Sequence, residues 1–295
     1  MLKVKINGKT CEAEAGEYIL DVCRRNRILV PTLCRHEGLA GLGACRLCVV
    51  EVNEGRGNNV VVSCVYPLSR DCEVITESEK IKGIRRTILS MMKTRAPAGD
   101  RLASLCQIYG VPETDRFTAP GSGKGGKQAA RGGAKTKVEN RIKADRMSEA
   151  CVLCGLCAHA CASLGTGAIS TVSRGVSKKI STPYDEPSAD CVGCGSCANV
   201  CPTKAIECTE KPASRGKAAT RTIWGKEFRL LSCAVCGKAF ATEEEYLLAQ
   251  KKASLEHDAP QKRGAAAPAQ SDPVCDVCRK KKSADVFAAA FGERA

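Results

Sequence analysis

Residues 151–202 hold two runs of cysteine, CVLCGLCAHAC and CVGCGSCANVCP, separated by a 29-residue insert. Each run is spaced Cys-x2-Cys-x2-Cys-x3-Cys. Three thiolates two residues apart wrap one face of a cubane cluster, and the turns between them point backbone amides at its sulfurs. The fourth cysteine opens a helix that leads across to the other cluster. The spacing therefore predicts two 4Fe–4S clusters, one on Cys151, Cys154, Cys157 and Cys201, the other on Cys191, Cys194, Cys197 and Cys161. Gly155, Gly193 and Gly195 suit the tight backbone such loops require. Zinc takes its ligands as two pairs and closes tetrahedrally, which is a different pattern.

Two further sets of four follow from spacing. Cys34, Cys45 and Cys48 share one loop, and Cys64 closes the set from a later strand. This three-plus-one arrangement suits a 2Fe–2S cluster near the surface, although the spacing is not the plant-type one. Gly41, Gly43 and Ala44 are small where backbone must approach the cluster. Cys72 competes with Cys64 as fourth ligand, and His36 beside Cys34 reads as a loop side chain or a donor behind the ligands. The last set is Cys233-x2-Cys236 with Cys275-x2-Cys278, which reads as a structural zinc site. Its rival is a further iron–sulfur cluster, since four thiolates serve either metal. Cys11, Cys23, Cys106 and Cys208 stand alone and are assigned no role, a lone cysteine being most often a small buried hydrophobe.

The elements that must position these sets are legible in outline. Leu2, Val4 and Ile6 alternate with lysines, then Asn7-Gly8 turns the chain into a second extended run, a type I′ hairpin. Residues 17–28 carry apolar side chains at helical spacing. After the cysteine loop, strands are expected at 47–52, 60–65 and 72–76. Hairpin, helix, cysteine loop and strands follow one another in the order of a β-grasp domain. Residues 79–93 and 100–109 read as helices. The stretch 113–140 is Gly-rich and basic and reads as a linker. Its letters nearly match a dinucleotide fingerprint and a P-loop, but neither the strand before nor the helix after is present. Short strands are expected within 221–231, and Thr242-x-x-Glu245 is a capping box for a helix from 243 to about 256. A Pro/Ala/Gln-rich linker spans 259–273. The organisation is thus α+β: a β-grasp domain over 1–78, a helical connector over 79–112, the linker over 113–140, a dicluster domain over 141–212, and a small zinc-ribbon-like module over 213–295.

Composition narrows the class. The chain has 295 residues, 21 cysteines and 4% aromatics. Few aromatics mean modest cores, so metal sites must supply folding energy. The start, MLKVKINGKT, has no apolar run and predicts no signal peptide. No apolar run is long enough to span a membrane. So much cysteine therefore predicts metal ligation in a reducing cytoplasm rather than disulfides. The formal charge of +14 decides little, because ligating cysteines are thiolates.

LCRHEGLAGLGACRLCVVEV followed by VVSCVYPLSRDCEVIT resembles the N-terminal 2Fe–2S domain of the complex I large iron–sulfur subunit. It equally resembles the small diaphorase subunit of NAD-reducing hydrogenases, and the N-terminus of some iron-only hydrogenases and formate dehydrogenases. The doubled run at 145–210, that of a bacterial ferredoxin, occurs in the same order in those proteins. The resemblance favours Cys64 over Cys72, since Cys64 follows a β-run and precedes a turn. Those relatives usually carry one His and three Cys after the first domain, binding another 4Fe–4S cluster. Here residues 80–112 hold only Cys106 and no His. That cluster is therefore expected to be absent, leaving a gap in the wire that the fold or a partner must close.

The function implied is that of an electron-transfer subunit. It would relay single electrons between a flavin/NAD(P)H, hydrogenase, formate dehydrogenase or heterodisulfide-reductase-like partner and a second redox partner. No acid–base constellation or nicotinamide fold is legible, so the chemistry is expected on partner subunits. A stand-alone iron–sulfur enzyme would need a metal with an open position, and each set here has four cysteines. A nucleic-acid-binding iron–sulfur protein would need aromatic side chains among its basic residues. Only Phe117 lies at the edge of the basic stretch.

Overall fold

The computed structural model describes residues 1–55, 57–97, 99–112, 149–214, 217–257 and 272–281. The basic stretch at 113–140 and most of the 259–273 linker lie outside the described residues. The chain forms two compact units. One comprises Met1–Gly165, Ile169–Ser181 and Ser196–Ile206; the other comprises Thr166–Ala168, Thr182–Gly195 and Glu207–Ala295.

The first unit opens on the expected hairpin. Strands β1 (Leu2–Ile6) and β2 (Lys9–Ala13) pair antiparallel, with Leu2 opposite Ala13 and Ile6 opposite Lys9. Asn7 and Gly8 take φ of 50° and 86°, the left-handed pair a type I′ turn needs. Three more strands follow: β3 (Val49–Asn53), β4 (Asn58–Val62) and β5 (Cys72–Ile75). The sheet order is β2-β1-β5-β3-β4, with β1 and β5 parallel and the other neighbours antiparallel. Helix α1 (Ile19–Arg25) buries Ile19, Leu20, Val22 and Cys23. Ile19, Val22 and Cys23 share a core with Val4, Ile6, Val52 and Val74 of the sheet. The amide of Leu20 donates to the Ser63 carbonyl (3.1 Å), giving an orphan N–H of the helix start a partner. The start of α1 is thereby tied to the residue before Cys64.

Helix α2 (Glu79–Arg95) starts at Ser78, whose hydroxyl accepts from the Ile81 amide, the usual N-cap bond. Its buried stripe runs Ile81, Arg85, Leu89 at intervals of four. Helix α3 (Asp100–Ile108) buries Leu102 and Cys106. Leu89, Ala96, Leu102 and Cys106 join Leu33 and Leu47 in a second core. The unit also holds helix α4 (Leu156–Ser163), helix α5 (Ser196–Asn199), and a small hairpin of β6 (Ser170–Val172) and β7 (Lys179–Ser181).

The second unit carries an antiparallel sheet in the order β11-β10-β9-β8. Its strands are β8 (Cys208–Lys211), β9 (Thr220–Ile223), β10 (Lys226–Ser232) and β11 (Ala239–Thr242). Sequence reading anticipated strands only within 221–231. Strand β8, CTEK, is mostly exposed and offers no apolar alternation to read. Helix α6 (Glu243–His257) follows β11. Its capping box is formed: the Glu245 amide donates to Thr242 Oγ1 (3.1 Å), and the Thr242 amide to Glu245 Oε2 (3.4 Å). Among the described residues no helix is long and apolar enough to cross a membrane.

Candidate metal centres

Cys34, Cys45, Cys48 and Cys64 are all buried, and the fold brings their sulfurs together. The Cys64 thiol lies near enough to Cys34 and Cys48, and the Cys45 thiol near enough to Cys34, for each to shift the other's protonation. Backbone amides also point at these sulfurs. The Cys45 amide donates to Cys34 Sγ (3.3 Å), and the Leu33 amide to Cys45 Sγ (3.4 Å). The thiols of Cys45 and then Cys64 draw Cys34 down to about 2, and that of Cys64 draws Cys48 down to about 6. Cys64 and Cys45 are pushed up, because each holds its proton against a neighbouring sulfur and is buried. Four converging thiols with amide donors suit an iron–sulfur cluster. Gly41 is required here: a Cβ would stand 2.5 Å from the Cys64 carbonyl oxygen, closer than any side chain tolerates.

Cys72 goes elsewhere. It sits on β5, opposite Val4, in the core with Cys11 and Cys23, whereas Cys64 packs with Cys48 and Leu20. Burial pushes Cys72 up to about 11 and Cys23 up to about 12, as expected of neutral thiols in an apolar core. Cys106 is buried on α3. His36 is exposed, and its Nδ1 accepts from the Gly38 amide.

Sequence reading missed the residue that holds this site from behind. Arg85 is 0% exposed. Its Nε donates to the Leu47 carbonyl and its Nη2 to the Val49 carbonyl, both at 2.9 Å. These are the carbonyls on either side of Cys48. Its Nη1 bonds to Glu77 and to the Tyr109 hydroxyl, and the guanidinium carbon lies 5.6 Å from the Tyr109 ring centroid. Ser63 completes the frame: its hydroxyl donates to the Cys48 carbonyl (2.6 Å).

Cys151, Cys154, Cys157 and Cys201 line one small cavity with Ile180, Ala205 and Ile206. Cys201 Sγ accepts from the Ala205 amide at 3.3 Å. Burial pushes Cys154 up to about 11 and raises Cys151 and Cys157 as well. Ligation needs thiolates, so loading this site must displace protons. The cavity belongs to the same unit as the first site. Cys34 and Cys45 share a continuous buried core with Cys154 and Leu156. The two cysteine loops also meet at Leu42, whose Cδ1 lies 3.6 Å from where a Cβ on Gly155 would stand.

Of the remaining dicluster cysteines, Cys161 lies on α4 and Cys197 on α5 in the first unit, and Cys191 and Cys194 belong to the second. Within the second unit the loop 191–194 is gripped by the C-terminal sheet. Lys226 Nζ donates to the Cys191 carbonyl (3.2 Å), Thr242 Oγ1 to the Val192 carbonyl, and Arg221 Nη1 to the Gly193 carbonyl (2.9 Å). The ring of Phe228 packs under Gly193, and a Cβ there would come within 2.5 Å of it. Nothing in the sequence signals these bonds, since the donors lie 28 to 50 residues from their acceptors.

Cys233, Cys236, Cys275 and Cys278 converge, with their sulfurs all within 4.8 Å of one another. Cys233 and Cys278 are buried and Cys236 is exposed. The Cys275 amide donates to Cys233 Sγ (3.4 Å) and helps to draw that thiol down to about 6. The Cys233 amide donates to the Lys238 carbonyl and the Gly237 amide to the Cys233 carbonyl, closing a tight knuckle after β10. Four thiols in this volume fit a tetrahedral cation.

Comparison with known proteins identifies the two iron–sulfur domains. Residues 1–79 match the 2Fe-2S iron-sulfur cluster binding domain, and residues 150–205 the 4Fe-4S dicluster domain. The NADP-reducing hydrogenase subunit HndD of Solidesulfovibrio fructosivorans is 31% identical over 208 residues, 64% of this chain and 33% of that protein. The NADH-ubiquinone oxidoreductase 75 kDa subunit of Reclinomonas americana is 27% identical over 184 residues, 62% of this chain and 26% of that protein. The NAD-reducing hydrogenase HoxS subunit gamma of Cupriavidus necator is 30% identical over 91 residues, 31% of this chain and 37% of that protein. The chain thus spans only 26–37% of the length of these curated relatives. They are the NADH dehydrogenase and hydrogenase subunits that the sequence resembles.

Proposed function

We propose that this chain is an electron-transfer subunit of a multi-subunit oxidoreductase in the cytoplasm. It relays single electrons between a flavin/NAD(P)H, hydrogenase or formate dehydrogenase-type partner and a second redox partner. In this reading the β-grasp domain, 1–78, holds one 2Fe–2S cluster on Cys34, Cys45, Cys48 and Cys64. The domain at 141–212 holds two 4Fe–4S clusters, on Cys151, Cys154, Cys157 and Cys201 and on Cys191, Cys194, Cys197 and Cys161. The module at 213–295 holds zinc on Cys233, Cys236, Cys275 and Cys278. A bound iron–sulfur cluster stores and releases one electron, at a potential set by hydrogen bonds and exposure.

The observation that carries the reading is that Cys34 and Cys45 of the first site and Cys154 of the second share one buried core within one unit. The helices α2 and α3, whose one cysteine is Cys106 and which carry no histidine, contribute Leu89, Leu102 and Cys106 to that core. The gap left by a missing cluster is then spanned by Leu42 against Gly155 and by the packing around Leu33, Leu47 and Leu156. Backbone amides aimed at Cys34, Cys45 and Cys201 would stabilise the more negative, reduced state.

Anaerobically purified full chain should contain about ten irons and one zinc, from the sum of these cluster types. Reduction should give paramagnetic signals of both 2Fe–2S and 4Fe–4S type. Fewer than about half those irons, or no reducible centre, would overturn the relay. Single substitutions check the ligand choice within it. Cys64→Ser should abolish the 2Fe–2S signal. Cys72→Ser should keep it and cost stability alone, about 1–2 kcal/mol for a hydroxyl placed in an apolar core.

A further inference from the structure

The C-terminal module grips a cysteine loop, and its own four-cysteine site is built into the element that does the gripping. Three consecutive carbonyls, those of Cys191, Val192 and Gly193, each receive one side-chain donor. The donors come from three strands: Lys226 opens β10, Thr242 ends β11 and Arg221 lies on β9. Thr242 is 0% exposed, and its single hydroxyl serves two partners. It donates to Val192 and accepts from the Glu245 amide, so both the loop and the start of α6 depend on where β11 stands. Arg221 is likewise shared, pairing with Glu210 on β8 and Glu245 on α6.

The knuckle joins β11 to β10, and Thr242 of β11 pairs with Leu230 of β10. Cys233 and Cys236 lie in the connection between β10, which ends at Ser232, and β11, which begins at Ala239. The pairing of the two strands is irregular at Leu231/Ser232, beside that connection. Cys275 and Cys278 arrive from far along the chain. The backbone bond from Ala234 to the Pro273 carbonyl and the Cys275 amide bond to Cys233 Sγ hold them there. The core of this sheet is small, built on Phe228, Leu230, Ile223 and Trp224, and small modules of this kind draw folding energy from metal.

We propose that a tetrahedral cation of zinc type on Cys233, Cys236, Cys275 and Cys278 is the prop of the 191–194 cysteine loop. It fixes the β10–β11 turn, and so keeps Thr242 on the Val192 carbonyl. The proposal rests on reading the four cysteines as a metal site. It adds that the metal acts at a distance, on retention of iron at Cys191 and Cys194. No electron passes through the prop; it positions backbone.

The test uses the full chain, purified anaerobically. In Cys236→Ser, zinc should be lost and iron should fall from about ten to about six per chain, with the 2Fe–2S signal unchanged. Thr242→Val keeps all four cysteines. It should retain zinc and release iron to a chelator about tenfold faster than wild type, the scale of losses seen when supports behind metal ligands are removed. Where Cys236→Ser fails to fold, as loss of the 2Fe–2S signal would report, Thr242→Val decides. A zinc-free Cys236→Ser protein with all its iron would sink the prop, and so would wild-type iron release from Thr242→Val. A wild-type chain with no metal bound by these four cysteines would instead overturn the metal reading itself.

Discussion

Replacing Arg85 by Met should cost about 2–6 kcal/mol of stability, the sum for two buried carbonyls left without a donor. The side chain is wholly buried and donates to two backbone carbonyls, to Glu77 and to Tyr109. Met fills similar volume but leaves the Leu47 and Val49 carbonyls unpaired, and each such buried group costs about 1–3 kcal/mol. For a domain whose whole stability is about 5–15 kcal/mol, that is a large fraction. The damage should reach the metal site, because those two carbonyls flank Cys48. Thermal unfolding and the rate of 2Fe–2S bleaching should therefore change together. Arg85→Lys should recover little, since one ammonium cannot reproduce a planar fork that reaches two carbonyls at once. A Met variant that melts and bleaches like wild type would show that the clamp is not what holds the Cys45–Cys48 loop.

Gly193→Ala is the smallest substitution expected to remove a whole cluster. Gly193 has φ of +67°, a conformation that costs an L-residue about 1–2 kcal/mol. The added methyl would also lie within 2.5–2.9 Å of three atoms of the Phe228 ring. That ring is 1% exposed, and Lys226 Nζ lies over it, 4.7 Å from its centroid, so it has little room to yield. Overpacking of this sort adds about 1–3 kcal/mol. The loop carrying Cys191 and Cys194 must move instead, and about four irons should be lost, while the 2Fe–2S centre and its signal stay intact. Combining the change with Phe228→Leu should relieve the clash, so that the double variant binds more iron than additivity allows. If Gly193→Ala retained its full iron, the packing of the sheet against this loop would not be what shapes it.

Both substitutions bear on backbone rather than on ligands, and they reach the clusters by the same route. A thiolate is placed no better than the peptide units on either side of it. In the first unit one guanidinium holds the two carbonyls around Cys48. In the second, Lys226, Thr242 and Arg221 hold three carbonyls in a row beside Cys191. Cationic donors also bias the neighbouring centre toward its reduced state, one of the levers on potential open to a protein.

Much of this was legible in the residues themselves. The Cys-x2-Cys repeats stand out in the sequence because ligand geometry at that spacing is local. The Asn7-Gly8 turn and the Thr242/Glu245 capping box are local too, and both formed as their letters imply. Arg85 left a trace, a charge on an apolar stripe four residues from Ile81 and from Leu89, but spacing alone does not tell a buried clamp from a solvated face. The assignment of Cys64 to one cluster of side chains and Cys72 to another came from strand pairing, which places Cys72 opposite Val4. Most dependent on the tertiary structure was the C-terminal module. As sequence it is two cysteine pairs and a few short strands; folded, it sets donors against carbonyls up to 50 residues away. Every residue of the chain carries a carbonyl, so nothing in the letters marks which three will be held. Only the closed sheet, with Phe228 beneath Gly193, makes that choice.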